Sequence, residues 1–282
     1  MVAAGAIGDA VYEAVIRAAT TLRPDALEAM HAALERERSP RGRVVLGQLL
    51  ENARIAADDH VPLCQDTGSV WVLLEVGEDE CVCGDVPAAV DGAVASAYAD
   101  ARLRTSIARD ALLDRGNTGD NTPAFIDVGF RPGTGVTVNV MLKGGGSDNA
   151  SAVRMLSPAE GEEGVIRFVT ETVAHTATSA CPPVLVGVGV GATFDKVAVL
   201  AKKALLREIG SEHPEPHLAG LEQRLLAELN ALGVGPGGLG GTVTALAAHV
   251  LTAPCHIASL PVAVNVGCSA VRTARVEVSS IV

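Results

Sequence analysis

The sequence predicts an α/β fold, with a helical N-terminal layer followed by a mixed sheet flanked by helices. Apolar residues recur at helical spacing from about Ile7 to Asp58, and short apolar runs then alternate with helical stretches. With 48% hydrophobic residues in 282, the chain has ample material to bury a core between those elements.

Val11, Val15, Ile16 and Ala19 form one apolar stripe, Leu27, Met30 and Leu34 a second, and Val44, Val45, Leu49 and Leu50 a third. The opening Met1-Val-Ala-Ala-Gly-Ala-Ile-Gly-Asp9 lacks a positively charged region and soon carries Glu13 and Arg17, so it reads as mature protein entering a helix. Val70 to Val76 suits a buried strand and Val86 to Ala101 a helix. Ala124 to Phe130 with Val136 to Leu142 predicts a hairpin across Arg131-Pro-Gly-Thr-Gly135. Beyond them lie a helix (Ala159 to Thr178), a strand (Val184 to Val190), helices (Phe194 to Glu208 and Pro216 to Leu232) and apolar segments (Thr242 to Leu251 and His256 to Val266). No repeat or low-complexity linker interrupts the sequence, and a single domain over residues 1–282 is expected.

With 22 basic against 33 acidic residues, a net charge of −11 and 2% aromatics, the chain lacks the basic surface and stacking platforms that nucleic acid demands. A small anionic substrate remains compatible, because a few convergent cations in one pocket can oppose the global sign. A mean hydropathy of +0.31 raises the question of a membrane span. Asn230 to Val271 contains no Asp, Glu, Lys or Arg, but Pro236, Pro254, Pro261 and the glycines from Gly233 to Gly241 break it. No piece of about 20 apolar residues survives, so the segment reads as dry interior around a site and no membrane span is expected.

Two glycine runs need separate readings. Gly187-Val-Gly-Val-Gly-Ala192 has the outline of a dinucleotide fingerprint, but the acidic residue required about 20 positions on falls at Glu208, inside a helical pattern with Lys202, Lys203 and Arg207. Gly235-Pro-Gly-Gly-Leu-Gly-Gly241 lacks the Gly-Lys-Ser/Thr ending of a phosphate loop and implies close backbone approach.

Six cysteines in a chain of this size, with no secretory leader in the sequence, are read as reduced thiols in a cytoplasmic protein. Cys81 and Cys83 occupy an acidic turn and read as surface thiols, while Cys255 beside His256 reads as packing, a spare ligand or a residue without a role. Cys64 in Pro-Leu-Cys-Gln-Asp-Thr-Gly, Cys181 in Ala-Cys-Pro-Pro and Cys268 in Asn-Val-Gly-Cys-Ser each fall at a loop or strand end. With no Cys-x-x-Cys knuckle among them, a zinc ribbon is disfavoured. Spacing leaves them as small buried hydrophobes or as ligands of a shared group.

The flanking motifs carry more. Pro62-Leu-Cys-Gln-Asp-Thr-Gly68, Asn117-Thr-Gly-Asp-Asn-Thr-Pro-Ala124, Lys143-Gly-Gly-Gly-Ser-Asp-Asn149, Ala180-Cys-Pro-Pro-Val-Leu-Val-Gly-Val-Gly-Val-Gly191, Gly235-Pro-Gly-Gly-Leu-Gly-Gly241 and His256-Ile-Ala-Ser-Leu-Pro-Val-Ala-Val-Asn-Val-Gly-Cys268 follow in unbroken order. Together they resemble the α subunit of class I fumarate hydratase and its sibling, the α subunit of L(+)-tartrate dehydratase. The fold implied is the iron–sulfur hydro-lyase α-subunit type.

The resemblance implies a [4Fe-4S] cluster on Cys64, Cys181 and Cys268, with the fourth iron left as a Lewis acid toward a 2-hydroxy dicarboxylate. It implies Gln65 and Asp66 beside that iron, with Asp66 toward the substrate hydroxyl or bound water. Arg104 matches the arginine that clamps a substrate carboxylate. The turn of Gly144, Gly145 and Gly146 would present amides to the same anion, and His256 resembles an active-site histidine. Asp66, Arg104 and His256 are thus the catalytic residues implied in this chain. Two positions depart from the pattern: Ser269 stands where many relatives have histidine, and Asp148 where glutamate is usual.

Single-chain relatives continue into a second domain with the catalytic threonine and further arginine and lysine residues, whereas this sequence stops at Val282. The expected assembly is therefore αβ or α2β2. Its β subunit would supply the base, through an interface made of the Gly- and Pro-rich loops around the cysteines. The implied reaction is hydration of fumarate to L-malate. Tartrate or methylated dicarboxylates are the alternative substrates, and a non-catalytic iron–sulfur carrier or redox sensor is the alternative class.

Overall fold

The computed structural model describes residues 1–280, so the last two positions of the expected 1–282 domain lie outside the described residues. In chain order the elements are β1 (Val2–Ala3), α1 (Ala4–Thr20), α2 (Pro24–Arg36), α3 (Pro40–Asp59), β2 (Ser69–Gly77), β3 (Val82–Cys83) and α4 (Val86–Asp100). Then come β4 (Phe125–Arg131), β5 (Val136–Lys143), α5 (Gly145–Asn149), β6 (Ala152–Leu156), α6 (Gly161–Thr176) and β7 (Val184–Gly191). The last are α7 (Lys196–Ala204), α8 (Pro216–Ala231), β8 (Ala245–Ala253), β9 (Leu260–Gly267) and β10 (Thr273–Val278). The fold is α/β with mixed sheets, as the sequence predicts.

The residues group into two compact units. The first comprises Met1–Arg23, Asn52–Gly145 and the segment from Arg272 onward; the second comprises Pro24–Glu51 and Gly146–Val271. All three N-terminal helices form, but α1 belongs to the first unit while α2 and the first half of α3 belong to the second.

In the first unit four strands lie in the order β10-β5-β2-β4. One face of this sheet, with Val70, Val72, Leu74, Val138 and Val140, packs on Val11 and Val15 of α1 and Val90, Val94 and Tyr98 of α4. These helical positions repeat at three and four residues, so each helix turns one apolar stripe to the sheet. Asp85 starts α4 by accepting the Ala88 N–H at 3.1 Å, and Pro87 occupies its first turn.

The predicted hairpin does not form. Both of its strands exist, but β2 runs between them, parallel to β4 and antiparallel to β5. The cause lies in β2, whose Val70 to Leu74 are all buried and which therefore takes a central place with a neighbour on each side. β4 becomes an edge strand with Phe125, Val128 and Phe130 exposed. The connection after it crosses the end of β2, where Glu78 donates to the Arg131 carbonyl at 2.8 Å and Gly77 to that of Gly135 at 2.9 Å.

In the second unit the order is β6-β9-β7-β8, with β7 and β8 parallel and β9 antiparallel to β7. Val184, Val186 and Val188 of β7 join Phe168, Val169 and Val173 of α6 and Leu221, Leu225 and Leu229 of α8. Alternation sends Gly187 and Gly189 to the opposite face. A side chain on either would collide with the backbone of α7, at the Ala201 and Val197 carbonyls. The apparent dinucleotide fingerprint is thus a strand shaped to seat a helix. Among the described residues, no helix is long and apolar enough to cross a membrane.

Candidate functional site

The segment Pro62–Gly68 leads into β2, and other parts of the first unit hold it at Leu63, Asp66, Thr67 and Gly68. Leu63 donates its N–H to the Ala19 carbonyl at 2.8 Å, and its own carbonyl accepts from Asn52 Nδ2 at 2.9 Å. Thr67 Oγ1 donates to the Arg104 carbonyl at 2.7 Å. The buried Tyr98 hydroxyl lies 3.0 Å from the Gly68 carbonyl and 3.2 Å from that of Thr67, and fully buried Asn121 donates Nδ2 to Gly68 at 3.1 Å. Burial pushes the Tyr98 phenol up to about 12, so it stays a donor throughout the neutral range.

Asp66 is fixed at two points. Its Oδ2 accepts the Gly145 N–H at 2.8 Å, and its main-chain carbonyl accepts from Nη1 of Arg272, which is only 3% exposed. The first unit therefore brings Cys64, Gln65, Asp66, the Arg104 backbone, Gly144 and Gly145 into one constellation. Cys64 Sγ lies 3.6 Å from Gln65 Oε1, while the Arg104 side chain is exposed. The Gly145 amide expected for a substrate anion is engaged by the Asp66 carboxylate, the anion nearest to it in the chain itself.

Cys181 and Cys268 belong to the second unit, as does Gly146. Cys181 follows a 3-10 turn (Ala177–Ala180) in a left-handed conformation, φ +53°, and Cys268 follows β9 directly. The Ser269 N–H donates to the Cys181 carbonyl at 3.2 Å and ties the two loops. That bond uses the main chain, so the departure at Ser269 leaves it intact. The Gly237 N–H reaches the Pro182 carbonyl at 2.8 Å, which brings the second glycine run beside Cys181. Gly235, Gly237, Gly238, Gly240 and Gly241 all have positive φ, and a side chain at Gly235 would strike the backbone of Gly240.

Buried Glu37 holds the far end of that run by accepting N–H groups from Ser39 at 2.7 Å and from Thr242 and Val243 at 2.9 Å. Burial pushes its carboxyl up, but the backbone donors outweigh it and hold the pKa below the ordinary 4.5. His256 is exposed in the turn between β8 and β9. Its Nδ1 accepts the Ala258 N–H at 3.1 Å, so the neutral ring carries its proton on Nε2.

None of the six cysteines forms a disulfide; Cys81, Cys83, Cys181 and Cys255 are exposed, and Cys64 and Cys268 are partly so. Among the described residues, no group of three or more His, Cys, Asp and Glu is arranged around a single ion. An iron–sulfur cube makes a different demand, because each thiolate binds a different iron and the sulfurs need not meet at one point. Cysteine thiolates are the donor type that such a cluster takes, and Cys64, Cys181 and Cys268 each stand in a loop or at a strand end.

Sequence reading missed Arg272, Tyr98, Asn121 and Glu37 as builders of these loops. For Arg272 a signal existed: it is the first charged residue after the uncharged run from Asn230 to Val271. Buried positions that ends such a run are where an isolated cation must have a defined partner.

The family model described as "Fumarate hydratase (Fumerase)" matches residues 8–277. A protein of Methanocaldococcus jannaschii, provisionally named an L(+)-tartrate dehydratase subunit alpha, is 38% identical over 95% of this chain and 96% of its own length. The L(+)-tartrate dehydratase subunit alpha of Escherichia coli strain UTI89 is 36% identical over 92% of this chain and 86% of its own. The protein of the same name in Shigella sonnei is 36% identical over 90% and 84%. The ordered motifs, the α/β architecture and a match spanning nearly the whole sequence place this chain in the fumarate hydratase family.

Proposed function

We propose that the chain is the α subunit of a two-subunit, cytoplasmic [4Fe-4S] hydro-lyase that hydrates fumarate reversibly to L-malate. The observation that carries this reading is Asp66, a carboxylate two residues from Cys64 and held at 2.8 Å by the Gly145 amide, in a chain of this family. Cys64, Cys181 and Cys268 are the residues that would hold the cluster, within one domain spanning residues 1–282. When bound, such a cluster supplies a Lewis acid for the C2 oxygen of the substrate.

The chain's own residues do the rest of this half of the work. Asp66 orients the hydroxyl or water through its carboxylate and holds a proton at Oδ1 or Oδ2, while Gln65 offers an amide beside it. Arg104 clamps a substrate carboxylate with its planar fork. The turn at Gly144, Gly145 and Gly146 fixes Asp66 and supplies amide donors to charge developing on the substrate. His256 delivers or receives a proton through Nε2. The β subunit supplies the base that removes the C3 proton, in an αβ or α2β2 assembly.

A second reading, L(+)-tartrate dehydration, rests on the names of the three relatives above, each a subunit alpha of that enzyme and one of them provisionally so named. The two differ by one hydroxyl at C3. A site built to hydrogen-bond that hydroxyl discriminates strongly against a substrate without it. The decisive experiment gives fumarate, L-malate, L(+)-tartrate and methylated dicarboxylates to the assembled complex under anaerobic conditions. Turnover of tartrate alone replaces the fumarate reading. Absence of turnover on all of them, with no change in the EPR signal on adding fumarate or malate, favours a non-catalytic carrier.

A further inference from the structure

Arg272 combines features that a surface or packing arginine lacks. It is only 3% exposed and sits at the start of β10, where its carbonyl accepts the Leu142 N–H at 2.9 Å, close to the Lys143-Gly144 turn. Its Nη1 donates to the main-chain carbonyl of Asp66. A methyl group on Gly144 would lie 2.9 Å from Arg272 Nη2 and 3.0 Å from Asp66 Oδ2, so guanidinium and carboxylate both press against the same bare Cα. Arg272 Nε is buried without a hydrogen-bond partner. A cation whose donors are incompletely satisfied is kept in place by what its remaining bonds do.

We propose that Arg272 is the positioning residue for Asp66, gripping its main chain while the Gly145 amide holds its carboxylate, with Gly144 as the spacer that lets the two charges approach. This rests on the reading of Asp66 as a functional group of a hydro-lyase. A loop carbonyl anchored by a charge-assisted bond cannot rotate about ψ without breaking it, so the carboxylate keeps one direction. Loss of the grip would lower turnover while leaving substrate affinity almost unchanged, because Arg272 acts through Asp66 and touches no substrate.

The test uses the complete, cluster-loaded complex and the variants Asp66→Asn, Arg272→Lys, Arg272→Met, Gly144→Ala and Asp66→Asn/Arg272→Met. Expected for Arg272→Met is a fall in kcat of about 10- to 100-fold with KM changed less than about threefold, and partial recovery in Arg272→Lys. The double variant should be no slower than Asp66→Asn, since the two residues form one unit. Hydrogen exchange of the Gly145 amide in the substrate-free complex should be at least about tenfold faster in Arg272→Met, a readout independent of turnover.

Should Arg272→Met fail to fold, Gly144→Ala pushes the same two groups apart without removing either, and the same kcat loss and faster Gly145 exchange are expected. A raised KM with unchanged kcat, or a double variant whose loss is the product of the single losses, overturns the positioning role. Wild-type turnover in Asp66→Asn instead overturns the reading of Asp66 itself, whatever Arg272 does.

Discussion

Glu37 shows how one carboxylate can order a loop far from it in sequence. Its oxygens collect main-chain donors from Ser39, Thr242 and Val243. Glu37→Gln replaces one acceptor oxygen with an amide NH2 donor that faces those donors, and should lower stability by about 1–3 kcal/mol at pH 7. The sign with pH follows from its lowered pKa. The wild-type contribution is complete above the ordinary value of 4.5 and disappears as pH falls through the lower folded value. Denaturant melts of both proteins should therefore differ at pH 7 and converge in strong acid; an equal gap at both pH values would remove Glu37 from this role. Among the cysteines, Cys64→Ser, Cys181→Ser and Cys268→Ser should each abolish the cluster in anaerobically purified protein, while Cys81→Ser leaves it. Loss in a Cys83 or Cys255 variant would show by EPR that the ligand set is wrong. At this scale the motifs exposed the polar residues of the loops but not their supports. Tyr98 and Asn121 lie 30 and 53 positions from Gly68, whose carbonyl they share, and no local pattern records that meeting.

Periodicity located nearly every long element, because an apolar stripe is a local property. Pairing is not local, and the hairpin reading failed where a third strand had a stronger claim to the centre. The glycines of β7 illustrate the same distinction. Their spacing imitates a nucleotide loop, and only the position of α7 shows that they are a packing seat. Gly187→Ala should cost about 1–3 kcal/mol by driving a methyl group into the Ala201 carbonyl. Gly92→Ala, in α4 with open space at the same point, should gain about 0.5–1 kcal/mol. Thermal or urea melts that rank the two the other way would contradict the assigned strand–helix approach. β6 and β10 escaped notice because they are short and carry exposed residues, Val153 to Met155 in succession in β6 and Arg275 and Glu277 in alternation in β10.

For the whole molecule, the expected outcome is that the α chain alone is inactive and co-expression with a β subunit restores hydro-lyase activity. Full activity in the purified α chain would refute the division of the active site between two chains. The acidic balance, net −11, does not oppose an anionic substrate, since buried Arg272 places one cation beside the Asp66 main chain and a local cation can oppose the global sign. The resemblance gave the family from ordered motifs, but not the arrangement of the chain, which enters the second unit at Pro24, leaves it at Asn52, re-enters at Gly146 and returns at Arg272.

That last return has a consequence for synthesis. β5 receives its neighbour β10 from residues Thr273–Val278, and Arg272 reaches Asp66 from the same stretch. On the ribosome, the sheet of the first unit must wait with an open β5 edge until the whole stretch Gly146–Val271 of the second unit has been made, and Asp66 cannot acquire its anchor before then. Translation that stalls near residue 270 would release a nascent chain with a bare β5 edge, a natural substrate for chaperones and quality-control proteases.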